Sequence, residues 1–449
     1  MKIFKKRYSV ISKIFFTTFL LGLFFTKTVA QEKTEFLSIK EALDAVTSNN
    51  SAVQSARIDE AIAQQKYKQT NAGFLPQINF SYSALATNNP LNVFGFKLQQ
   101  RTVTAADFNP EKLNHPSATS DFTTKIEVQQ PLINMDAVYL KKSAEAQAES
   151  YQFKAKRTTE YLIFETQKAY YQLQLTHQAV SVWEEALSTV KAIYDFTSNR
   201  FNQGLIQKSD LLNVEVQVLD IESKLNEVKA NVLNASDYLG VLMNKPTGIL
   251  YRADSLKEIQ SNGKTELSLP GNRTDFLAIE KAIEATGLMM KSSRMKLFPR
   301  INAFGSYQLN DKSFAAFNAT SYLAGIQLNW NIFDGNNIKR QVDGLKLEQD
   351  KLGVQLHSMQ QENQMMLEKS YRDLANSLFK IKQQHAAISQ ADEALRILQN
   401  RYTEGLVNTT DVLSAQTQLS KQELMLGQAI FGSNTSQAYI QFLTTQEEQ

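Results

Sequence analysis

The residues of this chain that could do chemistry are sparse, and their spacing argues against catalysis. Its four histidines, His115, His177, His357 and His385, have no partner at metal-ligand spacing. Neither a phosphate-binding glycine loop nor a G-x-S-x-G turn is present. Met289, Met290 and Met295, with Met359, Met365 and Met366, are side chains a soft-metal exporter would use, but methionine at helical spacing is ordinarily core packing. No catalytic residue, cofactor or metal site is expected. What remains is a pair of carboxylates, Asp210 and Asp411, that recur at matching places in a repeated motif. Such side chains suit the start of a helix, where they cap backbone N–H groups and meet the positive end of the helix dipole.

The repeat that carries them organises the whole chain. Arg200 to Leu212 reads RFNQGLIQKSDLL and Arg401 to Leu413 reads RYTEGLVNTTDVL, an offset of 201 with five identical positions. Leu75-Pro76-Gln77-Ile78-Asn79 answers Phe298-Pro299-Arg300-Ile301-Asn302, and Ile126-Glu127-Val128-Gln129 answers Ile326-Gln327-Leu328-Asn329. Three anchors in one order mark a tandem duplication of a single structural unit.

Residues 1–30 have the features of a cleaved signal peptide: basic Lys2, Lys5, Lys6, Arg7 and Lys13, an apolar Ile14–Phe25, and Thr28-Val29-Ala30 before the cut. Twelve apolar residues are too few to cross about 30 Å of hydrocarbon as a helix. With no cysteine, the exported chain has neither disulfides nor a lipid-attachment site. A net charge of +3 over 449 residues gives no reason to expect a nucleic-acid partner. Beyond the signal no run of eighteen apolar residues occurs, so a membrane location requires strands.

All eight prolines lie outside the long helical patterns. From about Ala137 to Phe201 there is neither proline nor glycine, and a helix of roughly 65 residues reaches on the order of 100 Å. Its counterpart runs from about Asn337 to Tyr402. There Tyr371, Leu374, Leu378, Ile381, Ile388, Leu395, Leu398 and Tyr402 keep a coiled-coil spacing, and Trp183, Leu187, Val190, Tyr194 and Phe201 do so in the first unit. Gly204 and Gly405 mark left-handed helix ends, and Ser209-Asp210 and Thr410-Asp411 supply capping side chains for returning helices of about 210–243 and 411–443. Shorter helices are expected at about Ser38–Phe74 and Arg273–Leu297.

After each proline anchor the period changes to two. Ile78, Phe80, Tyr82 and Ala84 alternate with Asn79, Ser81 and Ser83, while Phe122, Thr124, Ile126 and Val128 alternate with Thr123, Lys125 and Glu127. Ile301, Ala303, Gly305, Tyr307 and Leu309 fill one face of a third strand, and Tyr322, Ala324, Ile326, Leu328 and Trp330 one face of a fourth. Strands of this length cross a bilayer when tilted. Four cannot close a barrel, since about eight is the usual minimum and an open edge in lipid leaves backbone groups unsatisfied. Several chains must share one barrel, two giving eight strands and three giving twelve. The connection between the first two strands is about 23 residues longer than its partner, a loop suited to folding over a pore mouth.

These features together resemble the TolC-type outer-membrane efflux proteins, the outer-membrane factors of tripartite efflux or type I secretion systems. The resemblance covers nearly all of the mature chain and includes the Gln130-Pro131-Leu132 entry into a helix and the R-Y/F-x-x-G-L-x-x-x-x-D-x-L turn. It implies an α+β membrane protein, internally duplicated, with four transmembrane β-strands per chain in a trimeric 12-strand β-barrel continued by a long periplasmic α-helical coiled-coil tunnel. The implied partners are two further copies of the chain, outer-membrane lipid, a periplasmic adaptor (membrane fusion) protein and an inner-membrane transporter. The resemblance places Gly204, Leu205, Gly405 and Leu406 at an adaptor-docking tip, and Asp210, Asp411 and Tyr402 at a periplasmic gate. Val407 stands where the family's best-known member has a gate arginine and Ser414 where it has a second aspartate, which leaves open whether such a gate is held by salt bridges or by packing and hydrogen bonds.

The expected organisation is a first repeat at 31–246, with strands at about 77–86 and 121–130 and a helical hairpin at about 137–243. An equatorial linker follows at 247–272, then a second repeat at 273–449 with strands at about 300–309 and 321–330 and a hairpin at about 337–443. The implied function is a passive exit duct from the inner-membrane pump to the cell exterior. The alternative is a structural or adhesive coiled-coil protein of the cell surface. An enzyme would need a convergent polar constellation that the sequence lacks.

Overall fold

The computed structural model describes residues 33–259 and 268–447. The expected signal peptide and residues 260–267 of the expected linker lie outside the described residues. In chain order the elements are β1 (Lys33–Phe36), α1 (Ile39–Asn49), α2 (Ser51–Gln69), β2 (Gln77–Thr87), α3 (Pro90–Gln99), α4 (Pro110–Asn114) and β3 (Thr119–Ile133). Then come α5 (Met135–Asn202), α6 (Lys208–Leu242), β4 (Ile249–Arg252), α7 (Thr274–Met295), β5 (Arg300–Asp311), β6 (Ala319–Asn329), α8 (Asn337–Thr403) and α9 (Thr409–Thr444). Among the described residues no helix is long and apolar enough to cross a membrane.

The chain forms two compact units, each drawing on both halves of the duplication. One gathers residues up to Asn50, Ile163–Ser261 and Arg372–Ala438. In it the far parts of α5 and α8 pack with α6 and α9 around Ala186, Val190, Ile193, Val214, Ile221, Leu395, Tyr402 and Val412, with Trp183, Leu187, Tyr194, Ile388 and Leu398 against them. Of the residues the heptad spacing selects, Trp183, Leu187, Val190, Tyr194, Ile388, Leu395, Leu398 and Tyr402 meet here, while Leu378 and Ile381 join a second cluster with Ala429 and Ile430. Phe201 is in neither cluster, and Phe196 packs against the first. The parallel pair β1–β4 sits in the same unit, where the Tyr170 hydroxyl donates to the Leu37 carbonyl at 3.0 Å and His177 Nε2 meets the Tyr251 carbonyl at 2.9 Å.

The other unit holds Ser51–Leu162, Asn262–Tyr371 and the chain's end, including one antiparallel sheet of order β2-β3-β5-β6. Its register aligns the apolar rows across all four strands. Phe80 lies opposite Ile126, Ile126 opposite Tyr307 and Tyr307 opposite Tyr322; Ile78, Val128, Gly305 and Ala324 form the next row. The other face aligns Ser81, Lys125, Gln308 and Ser321. Because side chains alternate across a strand, this register alone separates an apolar face from a polar one.

The extents of two expected elements need correction. The helix expected over about Ser38–Phe74 is two helices parted at Asn50, whose backbone is extended (φ −59°, ψ 133°) and whose Nδ2 donates to the Leu242 carbonyl at 2.7 Å. That bond caps the end of α6 with a side chain from a distant segment. The second strand, expected to stop near residue 130, continues through Pro131 to Ile133. Pro131 lies past the last pair with β2, Gln77 opposite Gln129, and the register shifts between Pro131 and Ile133. A missing N–H is tolerated at such an edge position with a bulge.

Arg273 supplies the matching cap in the second half. Its guanidinium is fully buried and donates to the Leu443 carbonyl at 3.1 Å, to Asn363 Oδ1 at 3.2 Å and, through Nε and Nη2, to the Asp275 carboxylate at 3.0 and 2.7 Å. Arg157 lies beside this group, its guanidinium 3.7 Å from the centroid of Phe442 and its Nη1 2.9 Å from Glu160 Oε2.

Candidate functional site

The two helical turns are built alike. Gly204 adopts φ 73° and Gly405 φ 78°, backbone that a side chain disfavours. Gly204 N–H donates to the Phe201 carbonyl at 2.9 Å and Leu205 N–H to the Arg200 carbonyl at 2.9 Å. Gly405 and Leu406 repeat the pattern onto Tyr402 at 3.0 Å and Arg401 at 2.9 Å. This pair of bonds is the Schellman ending. Leu205 is 60% exposed and Leu406 67% exposed.

A methyl group at Gly405 would stand 3.1 Å from Arg200 Nη2, whereas one at Gly204 would meet nothing within 4 Å. Both glycine-to-alanine changes carry the left-handed penalty of roughly 1–2 kcal/mol, and Gly405→Ala is expected to cost more because Arg200, bonded to the Tyr402 carbonyl, must also shift. Thermal unfolding of the two single variants checks the order; equal losses would remove any role for the Arg200 contact.

Asp210 and Asp411 hold the next helices, though not as the first capping residue. Gln207 N–H donates to Asp210 Oδ2 at 3.3 Å and Asn408 N–H to Asp411 Oδ2 at 3.2 Å. Each aspartate thus occupies the third helical position and reaches back to the cap residue, with Gln207 and Asn408 at the caps themselves. The caps expected at Ser209-Asp210 and Thr410-Asp411 therefore lie two to three residues late, because a carboxylate suits either position.

Tyr402 is buried in the helical core rather than displayed. Its hydroxyl bridges Thr197 Oγ1 at 2.7 Å and Thr409 Oγ1 at 2.9 Å, its ring meets Phe196 edge-on at 5.3 Å, and its carbonyl accepts from Arg200 Nη1 at 3.3 Å. The structure brings together Tyr402, Thr197, Thr409 and Arg200, but each aspartate is bonded within its own turn. Spacing in the sequence does not single out Thr197 or Arg200 as site residues. The available signal is the asymmetry of the repeat, since Phe201 stands where Tyr402 does and has no hydroxyl to place. Val407 packs against the same core, while Ser414 is exposed. Farther along α9, burial and the nearby Glu185 and Asp392 carboxylates push the Glu423 carboxyl up.

At the sheet, Ile78, Phe80, Ile126, Tyr307, Tyr322 and Ile326 are exposed on one face. Aromatic groups lie at both ends of that face. Tyr82, Phe122 and Phe314 have ring centroids 5.9–6.5 Å apart at one end; at the other, Trp330 Nε1 donates to the Leu297 carbonyl at 2.9 Å. Apolar strands bounded by aromatic residues are the surface a barrel turns to lipid. Among the described residues no group of three or more His, Cys, Asp or Glu is arranged to hold a metal ion.

Comparison with known proteins agrees with this architecture. The chain is 23% identical over 283 residues to nodulation protein T of Rhizobium leguminosarum bv. viciae, a match covering 60% of this chain and 58% of that protein, less than two thirds of its length. The fold is similar to a crystal structure of CusC, with a TM-score of 0.78 at 15% identity over 92% of this chain and 94% of that one. It is also similar to the Campylobacter jejuni CmeC outer membrane channel, with a TM-score of 0.75 at 16% identity over 91% of this chain and 87% of that one. Residues 42–245 and 268–447 match the family model described as outer membrane efflux protein. The match takes in both repeats, and with the sheet and helical hairpins described above it establishes that this chain belongs to the outer membrane efflux protein family.

Proposed function

We propose that the chain is one third of a trimeric exit duct, in which three four-stranded sheets close a twelve-strand barrel and the helices continue it as a periplasmic tunnel. The observation that carries this reading is the sheet, whose apolar rows align across four strands and lie exposed while both β2 and β6 are open edges. Unpaired edges are untenable in hydrocarbon, so neighbouring copies must complete the ladder. Twelve strands leave a lumen, whereas eight are filled by side chains.

In this duct, transport is passive and an inner-membrane transporter supplies the energy through a periplasmic adaptor. Gly204-Leu205 and Gly405-Leu406 form the adaptor-docking tip. Asp210 and Asp411 put carboxylates at the tunnel end, and Tyr402 stiffens the turn beside them. With Val407 and Ser414 at the positions noted above, closure rests on packing and hydrogen bonds rather than on salt bridges.

Light scattering of the detergent-extracted protein, corrected for bound detergent, is expected to give three chains, and the trimer to conduct ions in planar bilayers. A stable monomer without conductance would instead favour a coiled-coil surface protein.

A further inference from the structure

The connection from β2 to β3 is an internally braced segment. The Asn89 side chain accepts from Asn92 N–H at 3.2 Å to start α3, and Thr104 and Asp107 cap a short turn at Ala105–Phe108. Lys97 Nζ donates to Asp107 Oδ1 at 2.6 Å, and this bond, followed by those from Thr104, holds the Asp107 carboxyl well below the usual carboxylate range. Val93 is buried, and Phe94 meets Phe108 edge-on at 5.6 Å.

This segment is fastened to the polar face of the sheet, at the end remote from α5. Gln100 is buried and its Nε2 donates to the Ser120 carbonyl at 2.9 Å and to Asp121 Oδ1 at 2.8 Å. Asp121, also buried, accepts through Oδ2 from Thr123 Oγ1 at 2.5 Å and from Asn310 Nδ2 at 3.0 Å. Thr123 pairs with Ser83 on one side and Asn310 on the other, in the same alternating set as Ser81, Lys125 and Gln308. The next residue after Gln100, Arg101, takes φ 55° and donates through Nη2 to the Thr320 carbonyl of β6 at 2.7 Å. Neighbouring residues of the loop therefore grip β3 and β6, which are separated by β5.

We propose that this segment is a lid folded inward across the outer mouth of the lumen, latched by Gln100 on the Asp121–Thr123–Asn310 cluster. The lid rests on the shared-barrel reading, which turns the polar face inward. A buried carboxylate serves as a latch because its acceptor sites are costly to leave unfilled. Opening the lid removes the Gln100 donor from Asp121 and admits water to replace it, so the closed state is favoured without being irreversible.

The chain contains no cysteine, so Ser81→Cys places a single thiol on the polar face below the latch. Intact cells carrying it are treated with a small, charged, membrane-impermeant maleimide and, separately, with a polymer-linked maleimide. The small reagent is expected to react in all variants. The bulky one is expected to react slowly with the otherwise unchanged chain, and about tenfold faster in Gln100→Ala, as for loss of one hydrogen bond to a carboxylate. Replacing residues 89–117 by Asn-Gly, with the barrel strands retained, is expected to give the fastest reaction and guards against misfolding of the point variant. Equal bulky-reagent rates in all three, with rapid small-reagent labelling, would overturn the lid. A Ser81→Cys thiol that the small reagent cannot reach in any variant would overturn the shared barrel, and the lid with it.

Discussion

The Leu205→Glu, Leu406→Glu double variant is expected to abolish export while trimer abundance in the outer membrane stays at the level of the unaltered chain. Both leucines follow a left-handed glycine and are more than half exposed, so little packing within the chain depends on them. Surface substitutions away from special features change stability by about 0.5 kcal/mol or less. Docking is another matter. A leucine buried by a partner contributes roughly 1.5–3 kcal/mol, and a carboxylate placed there must also be desolvated without a counter-ion. Three copies of two turns multiply the loss, because binding to a multivalent tip depends on all its contacts together. The measurement is export of any substrate of the cognate pump, alongside immunoblots of outer-membrane trimer. Normal export with normal trimer would sink the tip assignment. Loss of both together would point to a folding role for the turns.

Arg273→Met is expected to give the largest loss of stability of any single replacement considered. Arg273 is fully buried, and its guanidinium satisfies an aspartate, an asparagine and the carbonyl at the end of α9 at once. Removing one partner of a buried ion pair costs about 3–5 kcal/mol, and Asp275 would keep only the longer contact from Arg157 Nε at 3.5 Å. For a unit of this size that corresponds to a fall on the order of 10 °C in the unfolding temperature. Arg273→Lys is expected to recover little, because an ammonium cannot present the same planar fork. Arg273→Met combined with Asp275→Asn is expected to recover little, because Asp275 also pairs with Arg157 and its loss leaves Arg157 with Glu160 as its carboxylate partner. Circular dichroism in detergent at one fixed scan rate compares the variants. An Arg273→Met unfolding temperature within about 1 °C of the unaltered chain would mean that the network carries no net stability.

The Asn50 and Arg273 caps show how the two halves have diverged under one constraint. Each binds the carbonyl ending a returning helix, Leu242 in one half and Leu443 in the other. In one half the donor is a neutral amide at a helix break; in the other it is a charged group embedded in an ion network. The offset of 201 identifies the two carbonyls as counterparts, but nothing nearby in sequence says which side chain reaches them.

The sequence by itself determined the duplication, the helical hairpins, the glycine turns and the two faces of the sheet. These features depend on local rules: prolines excluded from helices, glycine at left-handed ends, and alternation that puts Phe80, Ile126, Tyr307 and Tyr322 on one side. The tertiary structure alone decided where side chains met across long separations. It parted the first helix at Asn50 and carried β3 through Pro131. It drew Tyr402 into a core with Thr197 and seated Gln100 on Asp121. The physical reason is that a hydrogen bond or ion pair between distant segments depends on the geometry of the packed elements, which no local spacing encodes.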